Sequence, residues 1–239
     1  MKQTDKTTCT DNGIITVAID GPASSGKSTV AKRVSALLNI IHVDTGAMYR
    51  AMGLKAVRCG IDPANEAAVV PMLDTTDVSI GFVDGAQHIF LDGEDVNALI
   101  RTEEVSQAAS KISALPPVRD KLLDLQRDLA KKQSLIMDGR DICTVVLPDA
   151  KYKFYISASA EVRAERRFLE YSDKGTLGDL TIEDILQEIK QRDYRDMNRE
   201  VAPLRPAEDA VFIDTSYMTV DEVVSAVLAE LGMASLLHI

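Results

Sequence analysis

Short apolar runs alternate along the chain with stretches whose apolar positions recur every three or four residues. The first run, Ile14-Ile15-Thr16-Val17-Ala18-Ile19, is rich in β-branched residues and has the composition of a strand buried on both faces of a parallel sheet. Val30, Ala31, Val34, Leu37 and Leu38 then follow at helical spacing, which predicts a helix with one face on a core. The same change of period recurs. Strands are predicted at 40–44, 134–138, 152–156 and 211–214, with helices at about 47–58, 118–131 and 220–231. Strands alternating with helices predict a parallel sheet of five strands with helices on both faces.

One stretch breaks this rhythm. Val78 to Val83, the dipeptide Asp84-Gly85, and Gln87 to Leu91 have the pattern of a hairpin around a tight turn. Asp92-Gly93 and a further short extended piece follow, and a helix is expected near 102–113, broken by Pro116-Pro117. Residues 62–115 therefore read as a small antiparallel domain inserted between the second and third core strands.

The chemistry begins where the first strand meets the first helix. Gly21-Pro22-Ala23-Ser24-Ser25-Gly26-Lys27-Ser28-Thr29 fits G-x-x-x-x-G-K-[ST], the phosphate-binding P-loop. Its glycines let the backbone wrap a phosphate chain with N–H groups pointing inward. Lys27 adds a point charge at the β/γ-phosphates, and the Ser28 hydroxyl can reach a Mg²⁺ ion. No Asn-Lys-x-Asp stretch, which reads guanine in GTPases, is present.

Composition narrows the partners. A chain of 239 residues with 46% hydrophobic and 27% charged residues suits a soluble globular protein, and a formal net charge of −10 argues against nucleic-acid binding. Cys9, Cys59 and Cys143 show neither disulfide nor zinc spacing, and His42, His88 and His238 form no ligand cluster, so a reducing cytoplasm is expected. No membrane span or signal peptide is evident, and residues 1–12 read as a polar tail.

Arginines form a second layer of candidates. Arg163, Arg166 and Arg167 open a helix after the fourth strand; Arg192, Asp196 and Arg199 share a face of the next, with Arg195 beside them. Such sets are also what a solvated face laced with weak ion pairs looks like. The P-loop favours the other reading, because phosphoryl transfer needs cationic donors around three equatorial oxygens. The loop Asp44-Thr45-Gly46-Ala47-Met48-Tyr49-Arg50 leads from strand to helix, where backbone N–H groups, Thr45 and Arg50 can meet another anion, though simple helix capping has the same pattern. In Asp138-Gly139-Arg140-Asp141, Asp138 ends the strand expected beside the P-loop strand and can support Mg²⁺. Arg140 can meet phosphate, and Asp141 is an acceptor for an exocyclic amine.

Taken together these segments resemble the bacterial-type cytidylate kinases, in the nucleoside monophosphate kinase group. The resemblance spans about residues 14–231 and rests on Ile19-Asp20-Gly21-Pro22, the Asp44 to Arg50 and Asp138 to Asp141 segments, Arg192 to Arg199, Val201-Ala202-Pro203-Leu204 and the insert ending at Val96. It implies a three-layer α/β/α P-loop kinase fold with the insert at 62–115, a helical lid at 158–178, and a core of 13–61, 116–157 and 179–239. It also implies transfer of the γ-phosphoryl group of ATP to CMP or dCMP, with Mg²⁺, by a cytoplasmic monomer acting on small molecules.

Matching positions assign Thr45, Arg50, Arg140 and Arg199 to the acceptor phosphate, with Asp44 and Tyr49 beside them. Ser110, Arg119 and Asp141 fall on cytosine, Arg192 and Asp196 on the ribose, and Arg163, Arg167 and Arg195 on the lid side and the transition state. The family's loop usually carries Gly at the position of Ser24, so a left-handed backbone there would be strained by about 1–2 kcal/mol. Kinases for UMP, AMP, shikimate or dephospho-coenzyme A share much of this pattern, and a P-loop sensor that binds ATP without transferring phosphate shares its first motif.

Overall fold

The computed structural model describes residues 14–238, so the tail expected at 1–12 lies outside the described residues. Strand β1 (Thr16–Asp20) runs up the middle of a five-stranded sheet ordered β2-β6-β1-β7-β8, all parallel, with β2 (Ile41–Asp44), β6 (Leu135–Gly139), β7 (Tyr152–Ser157) and β8 (Val211–Asp214). Alternation along each strand divides the core. Val17, Ile19, Ile136, Phe154 and Ile156 face α1 (Lys27–Leu38) and α8 (Val220–Glu230). Ala18, Val43, Leu135 and Met137 face α2 (Thr45–Arg58) and α5 (Pro116–Lys132). The three layers are those expected.

Parallel strands place all their carboxyl ends at one edge, and the chain bears acids there. Asp20 lies opposite Gly139 and Asp44 opposite Asp138. The loops that leave β1 and β6 and the start of α2 meet at this edge, where open α/β sheets bind ligands.

The excursion folds into α3 (Glu66–Asp74), a three-stranded antiparallel sheet of β3 (Val78–Val83), β4 (Ala86–Leu91) and β5 (Glu94–Asp95), and α4 (Glu103–Ile112). Asp84 and Gly85, at φ 50° and 76°, make the two-residue turn that sets Val83 opposite Ala86. Helix α4 lies against α2 because Gly53 has no side chain: a Cβ there would sit 2.8 Å from the Ala109 backbone nitrogen.

Two local expectations are corrected. Pro116 and Pro117 do not lie between a helix end and a later start; they form the first turn of α5, where a missing N–H costs no helical bond. Arg199 is not on the helix with Arg192 and Asp196. Helix α7 (Ile182–Asn198) ends before it, and Arg199 is its extended C-cap, at φ −64° and ψ 144°.

Helix α6 (Ala160–Asp173) returns against α7 around a small cluster of its own, with Ala164, Ile185 and Ile189 buried and Phe168, Tyr171 and Leu180 partly so. Tyr171 Oη donates to Glu103 Oε2 at 2.7 Å, tying this hairpin to α4 of the insert. Among the described residues no helix is long and apolar enough to cross a membrane.

Candidate active site

The P-loop wraps the end of β1 under tight steric control. Gly21 has φ 153°, and a Cβ on it would come 2.0 Å from the Ile156 carbonyl oxygen, so only glycine lets β7 pass this close. Ser24 sits at φ 60°, in the left-handed region that its position in the loop demands. Relief of that strain gives a prediction. Ser24→Gly should raise the melting temperature, because the gain of about 1–2 kcal/mol in the loop exceeds the entropy that glycine adds to the unfolded chain. A lowered melting temperature would show the strain to be absent.

Gly26, at φ 87°, caps α1. Lys27, only 7% exposed, folds back so that Nζ donates to the Pro22 carbonyl at 3.3 Å. Burial pushes its ammonium down to about 7, and Arg140 and Arg192 push the same way, while Asp138 and Asp44 pull it up. Those four groups come from the end of β2, from β6 and the loop after it, and from α7. The lysine therefore stands at the meeting point of the P-loop and the charged cluster beside it.

Asp138 is the hub between them. Its Oδ2 accepts the Ser28 hydroxyl at 2.6 Å, its Oδ1 meets His42 Nε2 at 2.6 Å, and its carbonyl accepts the Thr45 hydroxyl at 2.9 Å. Ser28 and Asp138 are a hard oxygen pair of the kind Mg²⁺ takes. Among the described residues no group of three or more His, Cys, Asp or Glu could hold a metal, so an ion here would complete its shell with phosphate oxygens and water.

In that cluster, Asp44 caps α2 by accepting from the Ala47 N–H at 3.2 Å and pairs with Arg50 Nη2 at 2.6 Å. Burial alone would raise its carboxyl, and Arg50 and His42 outweigh that and hold it below the usual range. The Gln87 side chain, from β4, acts as a peptide unit on the open edge of β2: Oε1 accepts from the Asp44 N–H at 2.7 Å and Nε2 donates to the Asp44 carbonyl at 3.1 Å.

Asp141, 4% exposed, is gripped by Arg119 and lies 3.5 Å from Arg199 Nη2. Arg119 also donates to the Ser113 carbonyl and lies over the Tyr49 ring at 5.7 Å. Arg140 Nε donates to Asp196 Oδ2 at 3.1 Å, with Arg192 Nε 4.0 Å from the same oxygen. Burial would raise the Asp196 carboxyl, but Arg140, Arg192 and Arg199 hold it low. Arg192 is itself pushed down to about 10 by burial and by Arg140. The weak i,i+4 pair of α7 is thus secondary to the contact from the β6 loop.

Several buried donors here have no hydrogen-bond partner. They include Arg50 Nε, Arg192 Nε, Arg195 Nε and the hydroxyls of Ser110 and Ser25. Folded proteins rarely bury such groups unsatisfied, which fits donors held for a ligand.

The α6 arginines divide. Arg163 donates to the Ala23 carbonyl of the P-loop at 3.3 Å and to both Asp193 oxygens at 3.0 and 2.6 Å. Arg166 donates to the Ser25 carbonyl at 3.5 Å and to the Thr215 carbonyl at 2.7 Å. Arg167 lies over the Tyr171 ring at 6.0 Å, and Arg195 Nη2 meets Gln107 Oε1 at 3.5 Å across to α4. A recess of about 620 Å³ opens between α4 and α7 against Gln107, Lys111, Tyr194 and Arg195; the P-loop is not part of its lining. Gln87, His42, Asp193 and the P-loop contact of Arg166 were not legible as site features, since each depends on which distant element packs nearby.

Comparison with known proteins agrees with this geometry. Residues 17–232 match the family model described as Cytidylate kinase. A cytidylate kinase of Caldicellulosiruptor bescii is 51% identical over 214 residues, 90% of this chain and 94% of that one. One from Lactobacillus gasseri is 46% identical over 216 residues, 90% and 93% of the two chains. An uncharacterized protein from Eubacterium ventriosum has a crystal structure that superimposes with a TM-score of 0.51 at 14% identity, over 91% of this chain and 98% of that one, a likeness of fold alone.

Proposed function

The chain belongs to the cytidylate kinase family, and from that premise we propose how its cleft divides the labour of the reaction. It transfers the γ-phosphoryl group of ATP to CMP or dCMP, forming ADP and CDP or dCDP. The P-loop, Gly21 to Thr29, holds the donor phosphates, with Lys27 at the β/γ oxygens. Ser28 and Asp138 would hold Mg²⁺, which supplies charge neutralisation to the phosphates.

Thr45, Arg50, Arg140 and Arg199 take the acceptor phosphate, supported by Asp44 and Tyr49. Ser110, Arg119 and Asp141 read cytosine, and Arg192 and Asp196 address the ribose. Arg163, Arg167 and Arg195 approach from the lid side and spread charge over the transferring group. The acceptor's phosphate oxygen attacks in line; no side chain is needed as an obligate base, because positioning and charge stabilisation carry the step. Residues 62–115 act as the acceptor-binding insert and 158–178 as the lid, whose closure excludes water and suppresses hydrolysis of ATP. The protein works as a cytoplasmic monomer on small-molecule substrates, without nucleic acid, a reading supported by its net charge of −10 and its sparse cysteines.

The observations that support this division best are the buried donors without a hydrogen-bond partner on Arg50, Arg192 and Ser110, and the electrostatic coupling of Lys27 to Arg140, Asp138, Asp44 and Arg192. The ribose assignment has its own test. Asp196→Ala should lower kcat/KM for CMP and for dCMP by different factors, because only one substrate carries the 2′-hydroxyl. Equal losses on both would make Asp196 an anchor for Arg140 and nothing more.

A further inference from the structure

Immediately after Asp141 the backbone makes a single π-helical turn, Ile142–Val146, and Asp141 stands at its N-cap position. A carboxylate there ordinarily turns back and accepts the N–H of the second or third residue of its own turn. Asp141 does not cap: its oxygens are directed to Arg119 and Arg199. The first two N–H groups of the turn, the second of which Asp141 would ordinarily take, are satisfied from a different strand. Asp20, the last residue of β1 and fully buried, accepts the Ile142 N–H at Oδ1 and the Cys143 N–H at Oδ2, each at 2.8 Å.

We propose that Asp20 is a positioning residue for base selection: it caps the turn in place of Asp141 and so frees Asp141 to face the substrate base. The inference rests on the reading that Asp141 meets the cytosine amine. Its geometry is economical. Asp20 is paired with Gly139 in the sheet and precedes Gly21, so one side chain fixes the base-reading loop relative to the floor of the P-loop. An acid without exposure is costly unless its oxygens are bonded, and here both are. Burial still pushes its carboxyl up to about 6 against the pull of the two N–H groups, a burden that a small apolar residue packed at this position would not carry.

The test measures kcat/KM for CMP and for UMP at saturating ATP in the full chain and in two variants. Asp20→Asn can satisfy only one of the two N–H groups, because its amide nitrogen opposes the other. It is expected to narrow the CMP-over-UMP ratio roughly tenfold or more while KM for ATP moves much less than KM for CMP. Reduced turnover on both substrates with the ratio unchanged overturns the proposal and leaves Asp20 a structural residue. Asp141→Asn is measured beside it. If that variant keeps the wild-type ratio, the base-reading assignment itself fails; if it narrows the ratio and Asp20→Asn does not, only the role of Asp20 falls. Should Asp20→Asn not fold, Asp20→Ser, which is smaller and keeps one acceptor, carries the same expected narrowing and the same contrary result.

Discussion

Lys27→Ala is expected to lower kcat by roughly 10²–10³-fold, the loss typical of removing one preorganised donor to transition-state charge, while CMP affinity changes little. The lysine projects from the first residue of α1 and is folded over its own loop, 3.3 Å from the Pro22 carbonyl. None of its hydrogen bonds goes to Arg140, Arg199, Asp141 or Asp196, so the acceptor pocket keeps its internal pairing when the ammonium is removed. What is lost is the charge that follows the phosphoryl group between donor and acceptor.

Burial also gives the residue a second signature. With its ammonium pushed down to about 7, Lys27 is largely neutral in the free protein at pH 8, and a bound triphosphate restores the charge. Donor binding should therefore take up a proton at pH 8, seen by calorimetry in buffers of different ionisation heat, and Lys27→Ala should abolish that uptake. Turnover equal to wild type would remove Lys27 from the chemistry.

Asp141→Asn is the second large effect, and it falls on selectivity. Cytosine presents an amine where uracil presents a carbonyl, and a carboxylate can only accept, so it rejects the carbonyl. An asparagine amide can rotate to offer either its oxygen or its NH₂ group and meets both bases. Sites that read a substrate through a buried hydrogen bond discriminate strongly, and the CMP-over-UMP ratio of kcat/KM should narrow by roughly 10²-fold. The substitution also strips Arg119 and Arg199 of their shared counter-charge, so the melting temperature should fall, since breaking a buried pair costs about 3–5 kcal/mol. The ratio separates the two consequences: destabilisation lowers both activities together, and lost base reading lowers one relative to the other. A ratio that does not move would take Asp141 out of base recognition.

Local pattern carried the fold a long way because each core strand is a short run dominated by bulky apolar residues and the core helices show one apolar face. The strand expected at 211–214 is the strand observed, Val211–Asp214. The left-handed Ser24 was foreshadowed by the resemblance, because the family's loop usually carries Gly at that position. What failed to show was of two kinds. Proline carries opposite meanings in the first turn of a helix and inside one, so Pro116 and Pro117 read as a break when they begin α5.

Partner choice across long separations is the other kind. Nothing near Gln87 says that its amide will bridge the edge of β2, and nothing near Asp193 says that it will hold Arg163 against the P-loop. Asp20 ends an apolar strand beside the glycine loop, a charged residue in a place that buries it, yet its partners lie more than a hundred residues along the chain. Arg199 followed the helical spacing of Arg192 and Asp196 on paper, and the helix stops one residue short of it.

We expect the donor loop around Lys27 and the acceptor cluster around Asp141 to work as one pocket. The direct measurement is ADP formation from ATP in the presence of CMP, dCMP, UMP or AMP, and with no acceptor. Rapid ADP formation with CMP and dCMP, much slower with UMP and AMP and near zero alone, is the predicted result. ADP release at one rate whatever the acceptor, or none with any of them, would contradict it.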